Sequence, residues 1–559
     1  MKENKFLLSA ALLTLCASLG FAQEIDDFDS FDSFSEDSSS SSPVNLSGSS
    51  SLDLRAYTDS DSAENTEIEA SPSAALNLNY NGNKSDFTLS LKVDEDTIKN
   101  HPEDVIDELI LRAYFGNFML EGGKMKLVWG KGDKLHVIDN FNADDYSDFI
   151  IPDYLDRRIS TPMVRGVYSL PFANMNLEAV YTPFLPVDRF STSGRWTPAQ
   201  VSNLTSTVKD YAKSYLAITI LNLESARMEA QTAQSLKEAA YAGGSSPDTD
   251  SNEYKALSNL IQTAYADGNI SYTSEEVLAY CSDNGLDPTN TTYQQMAVAA
   301  ILAEKYEEYL TENLVQANTA YNLALSNASL LSADSSVLYP DLWTLKYGQF
   351  GARATWTMGQ VDLGLSYYNG WFKQPSINGD KIYSCISNYM QNGYINESDK
   401  FLSYDKKQTF GLEASTVIWH FNLRGEFAYN LTDDIEGNDP WVQNNSIAWL
   451  GGFDIDLPFW NANLNVQEYG SYTLKEDSDN KLVCNFTTAF MNDKILPEVT
   501  LLYGIEKGDL VLLPKITIKP DQNLSLTASG MWIHCKDDQS EFAAWKDNSF
   551  VSLGAQYCF

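Results

Sequence analysis

Apolar side chains recur at every second position in well-separated stretches of this chain, and the positions between them are polar or charged. In Leu423-Arg424-Gly425-Glu426-Phe427-Ala428-Tyr429-Asn430-Leu431 the odd positions are mostly apolar or aromatic, while Arg424, Glu426 and Asn430 fall on the even ones. Val361, Leu363, Leu365 and Tyr367 alternate with Asp362, Gly364 and Ser366, and Met175, Leu177, Ala179 and Tyr181 alternate with Asn176 and Glu178. A period of two is the signature of a strand with two different surroundings. Charges on the second face require a hydrated interior rather than a dry core. After residue 23 there is no apolar run of the ~20 residues that a spanning helix needs. The pattern therefore predicts an all-β fold, a transmembrane antiparallel barrel, whose backbone groups pair between strands and which needs only alternate residues for lipid. Candidate strands between 45 and 559 number roughly 18, within a range of about 16–20, an even count that puts both termini on one side. Aromatic residues make up 12% of the chain, a supply suited to belts at two membrane interfaces.

The two ends of the sequence agree. Val551-Ser552-Leu553-Gly554-Ala555-Gln556-Tyr557-Cys558-Phe559 alternates to the last residue, and a terminal Phe559 with Tyr557 two residues earlier resembles the signal read by the barrel assembly machinery of outer membranes. Met1-Lys2-Glu3-Asn4-Lys5, the apolar stretch from Phe6 to Leu19 and Gly20-Phe21-Ala22 read as a signal peptide over residues 1–22, cut after Ala22. Leu15-Cys16 is a poor lipidation site, because a bulky Leu precedes the cysteine and the apolar stretch runs past it. Residues 23–44, with Asp27-Phe28-Asp29-Ser30-Phe31-Asp32 and the serine run Ser38 to Ser42, are acidic, aperiodic and expected to be a disordered leader.

Charge excludes some partners. With 38 basic and 76 acidic residues the formal net charge is −38, which repels nucleic acid and anionic lipid. Of the six cysteines, Cys16 lies in the expected signal peptide; Cys281 and Cys385 fall in expected non-membrane segments and Cys484, Cys535 and Cys558 in expected strands. That scatter is neither a disulfide framework nor a metal-ligand spacing, and no cofactor or metal is implied. The four histidines, His101, His136, His420 and His534, sit in no hydrolase motif. His136 near Asp133 or Asp139 reads as an exposed loop histidine rather than a catalytic group, and enzyme activity is not expected. Asp267-Gly268-Asn269-Ile270 resembles half of an EF-hand, but Thr263, Tyr265 and Ser274 stand where calcium needs carboxylates, so it is read as a helix-to-helix turn.

Connections sort into two kinds. Short turns such as Asn81-Gly82-Asn83-Lys84, Phe115-Gly116-Asn117, Phe172-Ala173-Asn174 and Met358-Gly359-Gln360 take turns with long segments at 131–162, 185–345, 373–406 and 536–547. Outer-membrane barrels have short periplasmic turns and long external loops. The chain is thus divided into a first barrel part, 45–190, a helical insertion, 191–345, and a second barrel part, 346–559. Within the insertion Val201, Leu204, Val208, Tyr211, Tyr215 and Ile218, and later Leu302, Tyr306, Leu310, Leu314, Ala317, Tyr321 and Ala324, recur at steps of three and four, predicting two long helices paired as an antiparallel hairpin, with shorter helices near 252–266 and 274–281. Strand parity places it outside the cell.

The densest cluster of charged and ring residues runs from Trp129-Gly130-Lys131-Gly132-Asp133 through Asp139-Asn140-Phe141-Asn142-Ala143-Asp144-Asp145-Tyr146 and Pro152-Asp153-Tyr154-Leu155-Asp156-Arg157-Arg158 to Met163-Val164-Arg165-Gly166. Over about residues 120–190 the chain resembles a porin-like family of outer-membrane barrels of unknown function from diderm bacteria, which shares a strand ending in Trp-Gly-x-x-Asp, an Asp-Tyr loop and a double-Arg step. It departs from that family at Asn142-Ala143, where Asn-Pro is usual, and in its helical insertion. The resemblance implies a channel or exporter. Physically, a loop bearing Asp139, Asp144, Asp145 and Asp156 against Arg157, Arg158 and Arg165 suits a constriction folded into the lumen, or equally a loop stapled to the wall. Alternation puts Asp53, Arg55, Glu178, Glu413, Arg424 and Glu426 on the lumen face, a set more acidic than basic that favours cations. The expected partners are outer-membrane lipid, the assembly machinery and a periplasmic or surface partner of the insertion. The rival reading is an adhesin anchored by the barrel.

Overall fold

The computed structural model describes residues 44–58, 67–148, 157–242, 246–536 and 540–559. The expected signal peptide and nearly all of the leader, Asp156 and its neighbours back to 149 lie outside the described residues. The chain divides into two units, one made of the segments up to Ser202, Asp341–Ile377 and Ser403–Phe559, the other of Asn203–Pro340 and Asn378–Leu402.

The first unit is a closed antiparallel barrel of 18 strands. In chain order they are β1 (Val44–Tyr57), β2 (Ile68–Asn81), β3 (Ser85–Val93), β4 (Ile106–Phe115), β5 (Phe118–Met125), β6 (Thr161–Leu170), β7 (Met175–Thr182), β8 (Gln349–Met358) and β9 (Val361–Trp371). They continue as β10 (Lys406–Ile418), β11 (Phe421–Thr432), β12 (Ser446–Asp456), β13 (Asn463–Thr473), β14 (Ser478–Thr487), β15 (Ile495–Gly504), β16 (Leu510–Ile518), β17 (Leu524–His534) and β18 (Phe550–Cys558). Each strand pairs with its neighbours in the chain, and β18 closes on β1 with Tyr57 opposite Phe550 and Ser49 opposite Cys558. The terminal residue completes the seam, since Phe559 N donates to Gly48 O and Gly48 N to Phe559 O, both at 2.9 Å. Closure leaves no edge, so the strand backbones pair with one another rather than with water.

Two-residue turns at one end are set by a left-handed first residue, as at Gly116 (φ 64°), Gly359 (φ 66°) and Trp419 (φ 57°). The opposite end carries all the long connections, and both termini leave from the short-turn end. Along each strand one set of alternate residues is exposed and apolar, for example Leu111, Leu365, Leu412, Val551 and Leu553. Exposed Phe115, Phe172, Trp419 and Trp460 gather near the short turns, and Tyr181, Phe350, Phe410, Tyr429 and Trp532 stand nearer the other end, which makes two aromatic belts.

In the second unit, α1 (Ala199–Ala240) and α4 (Thr291–Ala333) are each about 60 Å long at 1.5 Å per residue. Between them lie α2 (Asn252–Ala266) and α3 (Ser274–Asp283), the latter opened by a capping box of Thr273 and Glu276. Asp267 to Tyr272 is the helix-to-helix turn expected of the EF-hand-like stretch. Cys281, Ala297, Ile301 and Val277 form one small core, and Ala233, Ala264, Leu302, Tyr306 and Leu310 another. The long segment 373–406, expected as a plain loop, contains α5 (Gly379–Asn392), ended by Gly393 in the left-handed region at φ 75°. Its Cys385, Ile386 and Met390 pack on Val208, Ala324 and Leu331, and Asn327 Nδ2 donates to the carbonyls of Tyr389 and Met390 at 3.1 Å. Cys535, expected in a strand, stands one residue beyond β17.

Candidate functional site: a loop laid across the barrel lumen

The connection from β5 to β6, residues 126–160, turns inward. Asn142 anchors its base: its side chain accepts from Leu127 N at 2.8 Å and donates to the carbonyls of Met125 at 3.0 Å and Ile159 at 2.9 Å. A short three-stranded sheet sets the outer part, with Ala143–Tyr146 antiparallel to Arg158–Ile159 and parallel to Arg189–Phe190.

From there the loop lies against the lumen face of β7 to β13. Trp129 Nε1 donates to Glu178 Oε1 at 2.9 Å. Phe141 stacks edge-on against both Trp129 and Tyr368, with centroids 5.1 and 5.2 Å away. Glycines make this bed: a Cβ on Gly351 would fall 2.8 Å from Phe141 and Trp129, and one on Gly411 2.8 Å from Ile138. Glu426 is the main dock. Its Oε1 accepts from Lys131 N and Gly132 N at 2.7 Å and meets His136 Nδ1 at 2.9 Å, while Oε2 accepts from Val137 N at 2.8 Å. Farther across, Asp133 pairs with Arg424 and accepts from Asn465 Nδ2 at 2.5 Å and Gln467 Nε2 at 3.2 Å. Leu135 reaches an apolar cluster on the far wall. His136 is therefore buried beside Glu426, not exposed as the sequence suggested, because the loop carrying it folds into the barrel.

Arg158 is buried, pairs with buried Asp139 at 2.8 Å and donates to Leu127 O at 3.3 Å, while Arg157 sits 3.6 Å from Asp144 and over the Tyr146 ring. Both arginines hold the loop together. Asp145 Oδ1 caps Ser147 N at 2.9 Å. Outside the strands, burial pushes the Lys373 ammonium well down from its usual range and the Asp188 carboxyl up. Lys373 Nζ donates to Gln349 Oε1 at 2.8 Å and Phe141 O at 3.2 Å.

Arg165 belongs to a different feature. On the lumen face of β4 to β10 an alternating ladder runs Arg112, Glu121, Arg165, Glu178, Arg353, Glu413. Arg112 bonds Glu121, Glu121 meets Arg165 at 2.8 Å, Arg165 meets Glu178 at 2.7 Å, Glu178 lies 3.9 Å from Arg353, and Arg353 reaches Glu413 at 2.5 Å. The side chains of Arg112, Arg165 and Arg353 are 27%, 24% and 13% exposed, those of Glu121, Glu178 and Glu413 only 4%, 8% and 1%. The carboxylates lie under the guanidinium groups, so the face turned to the lumen is basic here. This corrects the acidic wall expected from alternation: Glu178, Glu413 and Glu426 do point inward, but they are covered by arginine or by the loop. Asp53 is exposed, and Arg55 forks onto Asp148 with two bonds of 2.9 Å. Tyr557 faces outward, half exposed.

Sequence reasoning missed Glu121, Arg112 and Arg353. The first two carried a signal, because the Gly116-Asn117 turn fixes Arg112 opposite Glu121.

Fold and site together define a transmembrane antiparallel β-barrel with a loop across its lumen. Known structures with some likeness include a BenF-like porin from Pseudomonas fluorescens (8% identity over 92% of this chain and 97% of that one, TM-score 0.39) and Acinetobacter baumannii OccAB4 (8%, 92% and 98%, 0.38). Pseudomonas aeruginosa OpdL is similar at 8% identity, 92% and 98% coverage and TM-score 0.39. No protein-family model and no curated protein matches the sequence. At that level of likeness, function has to be argued from the residues.

Proposed function

We propose that this chain is an outer-membrane channel in which the 126–160 loop narrows the lumen and the arginine side of the ladder contacts the passing solute. One observation carries the reading: a charge ladder inside a closed barrel whose less buried members are all guanidinium groups. A barrel sealed for purely structural reasons has no need of mutually aligned, partly accessible arginines beside an inward loop. Arginine forks suit solutes bearing carboxylate or phosphate groups. The protein as a whole is strongly acidic, so bulk cations gather near it while the ladder offers anionic groups successive steps through the constriction.

The test is planar-bilayer conductance of the purified, heat-modifiable protein. Wild type should conduct, and Arg112→Gln with Arg165→Gln should move the reversal potential in a KCl gradient toward greater cation preference, less so as salt rises. A folded protein with no conductance would overturn the channel reading; an unchanged reversal potential would remove the ladder from it.

A second reading, a surface interaction protein anchored by the barrel, is favoured by the exposed Ile218, Leu221, Met228 and Val315 on the long helices. Binding lost on their replacement by polar residues, with conductance intact, would support it.

A further inference from the structure

The outward face of the wall changes character step by step where β9 and β10 pair. At the long-connection end Trp371 stands opposite Lys406, and on the same outward alternation follow Asn369 opposite Gln408 and Tyr367 opposite Phe410, with aliphatic residues beyond. Each step of two residues is about 6.6 Å along the strand. From the mouth down, cation and indole give way to amides, then to rings, then to aliphatic chains. That is the polarity profile of one lipid leaflet from headgroup to acyl core.

Two lysines stand at the top of this slope. Lys406 Nζ lies over the Trp371 ring, 5.7 Å from its centroid, and Lys346, just before β8, lies over the Tyr347 ring at 5.1 Å. The two rings pack together with centroids 4.8 Å apart. Both lysines are exposed, and neither has a carboxylate partner among the described residues. In a chain with 76 acidic and 38 basic side chains, two neighbouring cations left unneutralised run against the overall charge and call for an anion from outside.

Below the lysines the outer surface is hollowed. Ala352 and Ala354 of β8 form a low floor, and Leu177, Tyr367, Phe410 and Tyr429 rise around it to enclose an open groove of about 700 Å³. Its size falls within the roughly 300–1,000 Å³ of small-molecule sites. A second hollow of about 440 Å³ shares Leu365, Leu412 and Phe427 with the first and carries the groove on toward the short turns. Its walls are accessible: Leu365, Phe410 and Leu412 are each about half exposed on the lipid-facing side. A long apolar trough that starts beneath a pair of cations suits a molecule with an anionic head and an aliphatic chain.

We propose that the outward face of β7–β11 is a binding site for an anionic phospholipid, with the headgroup phosphate at Lys346 and Lys406 and one acyl chain in the groove. Lys406 stands four residues above Phe410, about 13 Å along the strand, so head and chain are reached by one lipid standing in the leaflet. The uncompensated lysines select an anionic headgroup over a zwitterionic one. The site shares with the channel reading only the barrel's place in a membrane, and a protein that failed to conduct would leave it untouched.

The test titrates lipid onto the full-length, heat-modifiable protein in detergent and counts bound lipid by native mass spectrometry. Phosphatidylglycerol and phosphatidylcholine with the same acyl chains are compared on the wild type, on Lys346→Gln with Lys406→Gln, and on Lys494→Gln with Lys519→Gln, which removes two exposed lysines at the short-turn end. Wild type and control should bind one phosphatidylglycerol at least tenfold more tightly than phosphatidylcholine, and the Lys346/Lys406 variant should lose that preference. Ala352→Trp, which fills the floor of the groove, should weaken both lipids alike. Equal binding of the two lipids by the wild type, or a Lys346/Lys406 variant that behaves as the control does, would overturn the site. Displacement by millimolar inorganic phosphate would reduce it to an anion site without a chain, and tighter binding of lipid A than of phosphatidylglycerol would give the groove to a glycolipid; either result overturns the phospholipid assignment.

Discussion

Glu426 shows how one side chain decides the state of the lumen. It faces Glu413 directly across the ladder, a repulsive pairing on its own, and each carboxylate is engaged from elsewhere: Glu413 through Oε1 by Arg353, Glu426 through both oxygens by the loop. Removing the acceptor leaves the loop's N–H groups buried and unsatisfied, at roughly 1–3 kcal/mol for each. Glu426→Ala should therefore free residues 131–137, raise single-channel conductance and open the loop to protease in the folded barrel. Conductance and cleavage both unchanged would mean that Asp133 and the glycine bed suffice to hold it. Of Arg157 and Arg158, which the sequence offered either as pore lining or as staples, Arg158 is buried against Asp139 and Arg157 lies half-buried beside Asp144, contacts within the loop that favour the staple reading. The basic face of the lumen comes instead from Arg112, Arg165 and Arg353, on alternate strands β4, β6 and β8.

At the scale of elements, β18 carries the closure. Its outward Val551, Leu553 and Tyr557 face lipid, and Phe559 adds two backbone bonds to β1 beyond the last strand residue. The Phe559 ring also lies on Gly48, where a Cβ would come within 2.5 Å of it. Deleting Phe559 should stop barrel assembly while export continues, seen as loss of the heat-modifiable form and accumulation of unassembled chain in the periplasm. Normal outer-membrane levels of the truncated protein would show that the remaining nine pairs close the seam unaided. The lumen loop relies on the same kind of close approach, with Phe141 and Ile138 seated over Gly351 and Gly411.

For the whole molecule the question is which side each end faces. The long connections leave one end of the barrel, which also carries the four-residue turn between β13 and β14, and the helical unit is inserted in the chain between β7 and β8. An epitope tag placed after Pro247, between α1 and α2, should be reached by antibody on intact cells. Labelling only after permeabilisation would put the helical unit in the periplasm and reverse the orientation of every strand.

What the sequence by itself determined was whatever depends on neighbours a few residues away. Period-two alternation encodes two solvents at once, so the barrel, its inward and outward faces and a count of 18 strands were legible. Period 3.6 marked both long helices for the same reason. Tight turns fix hairpin register, which made Arg112 opposite Glu121 readable, and Arg165 diagonal to Glu178. The tertiary structure alone decided the rest. Arg353 lies opposite Glu178 only because β7 and β8 pair across the whole helical insertion, and no turn records that register. Lys131 meets Glu426 at a separation of 295 residues. A loop that packs inside a polar lumen has the composition of one in water, so the burial of His136 and the covering of the inner carboxylates left no mark in the pattern. The α5 helix was hidden likewise, because its apolar face, short and interrupted, is completed by α1 and α4, far away in the chain. Local sequence writes the solvent each side chain prefers; which distant groups supply that environment is settled when the barrel closes and the loop folds into it.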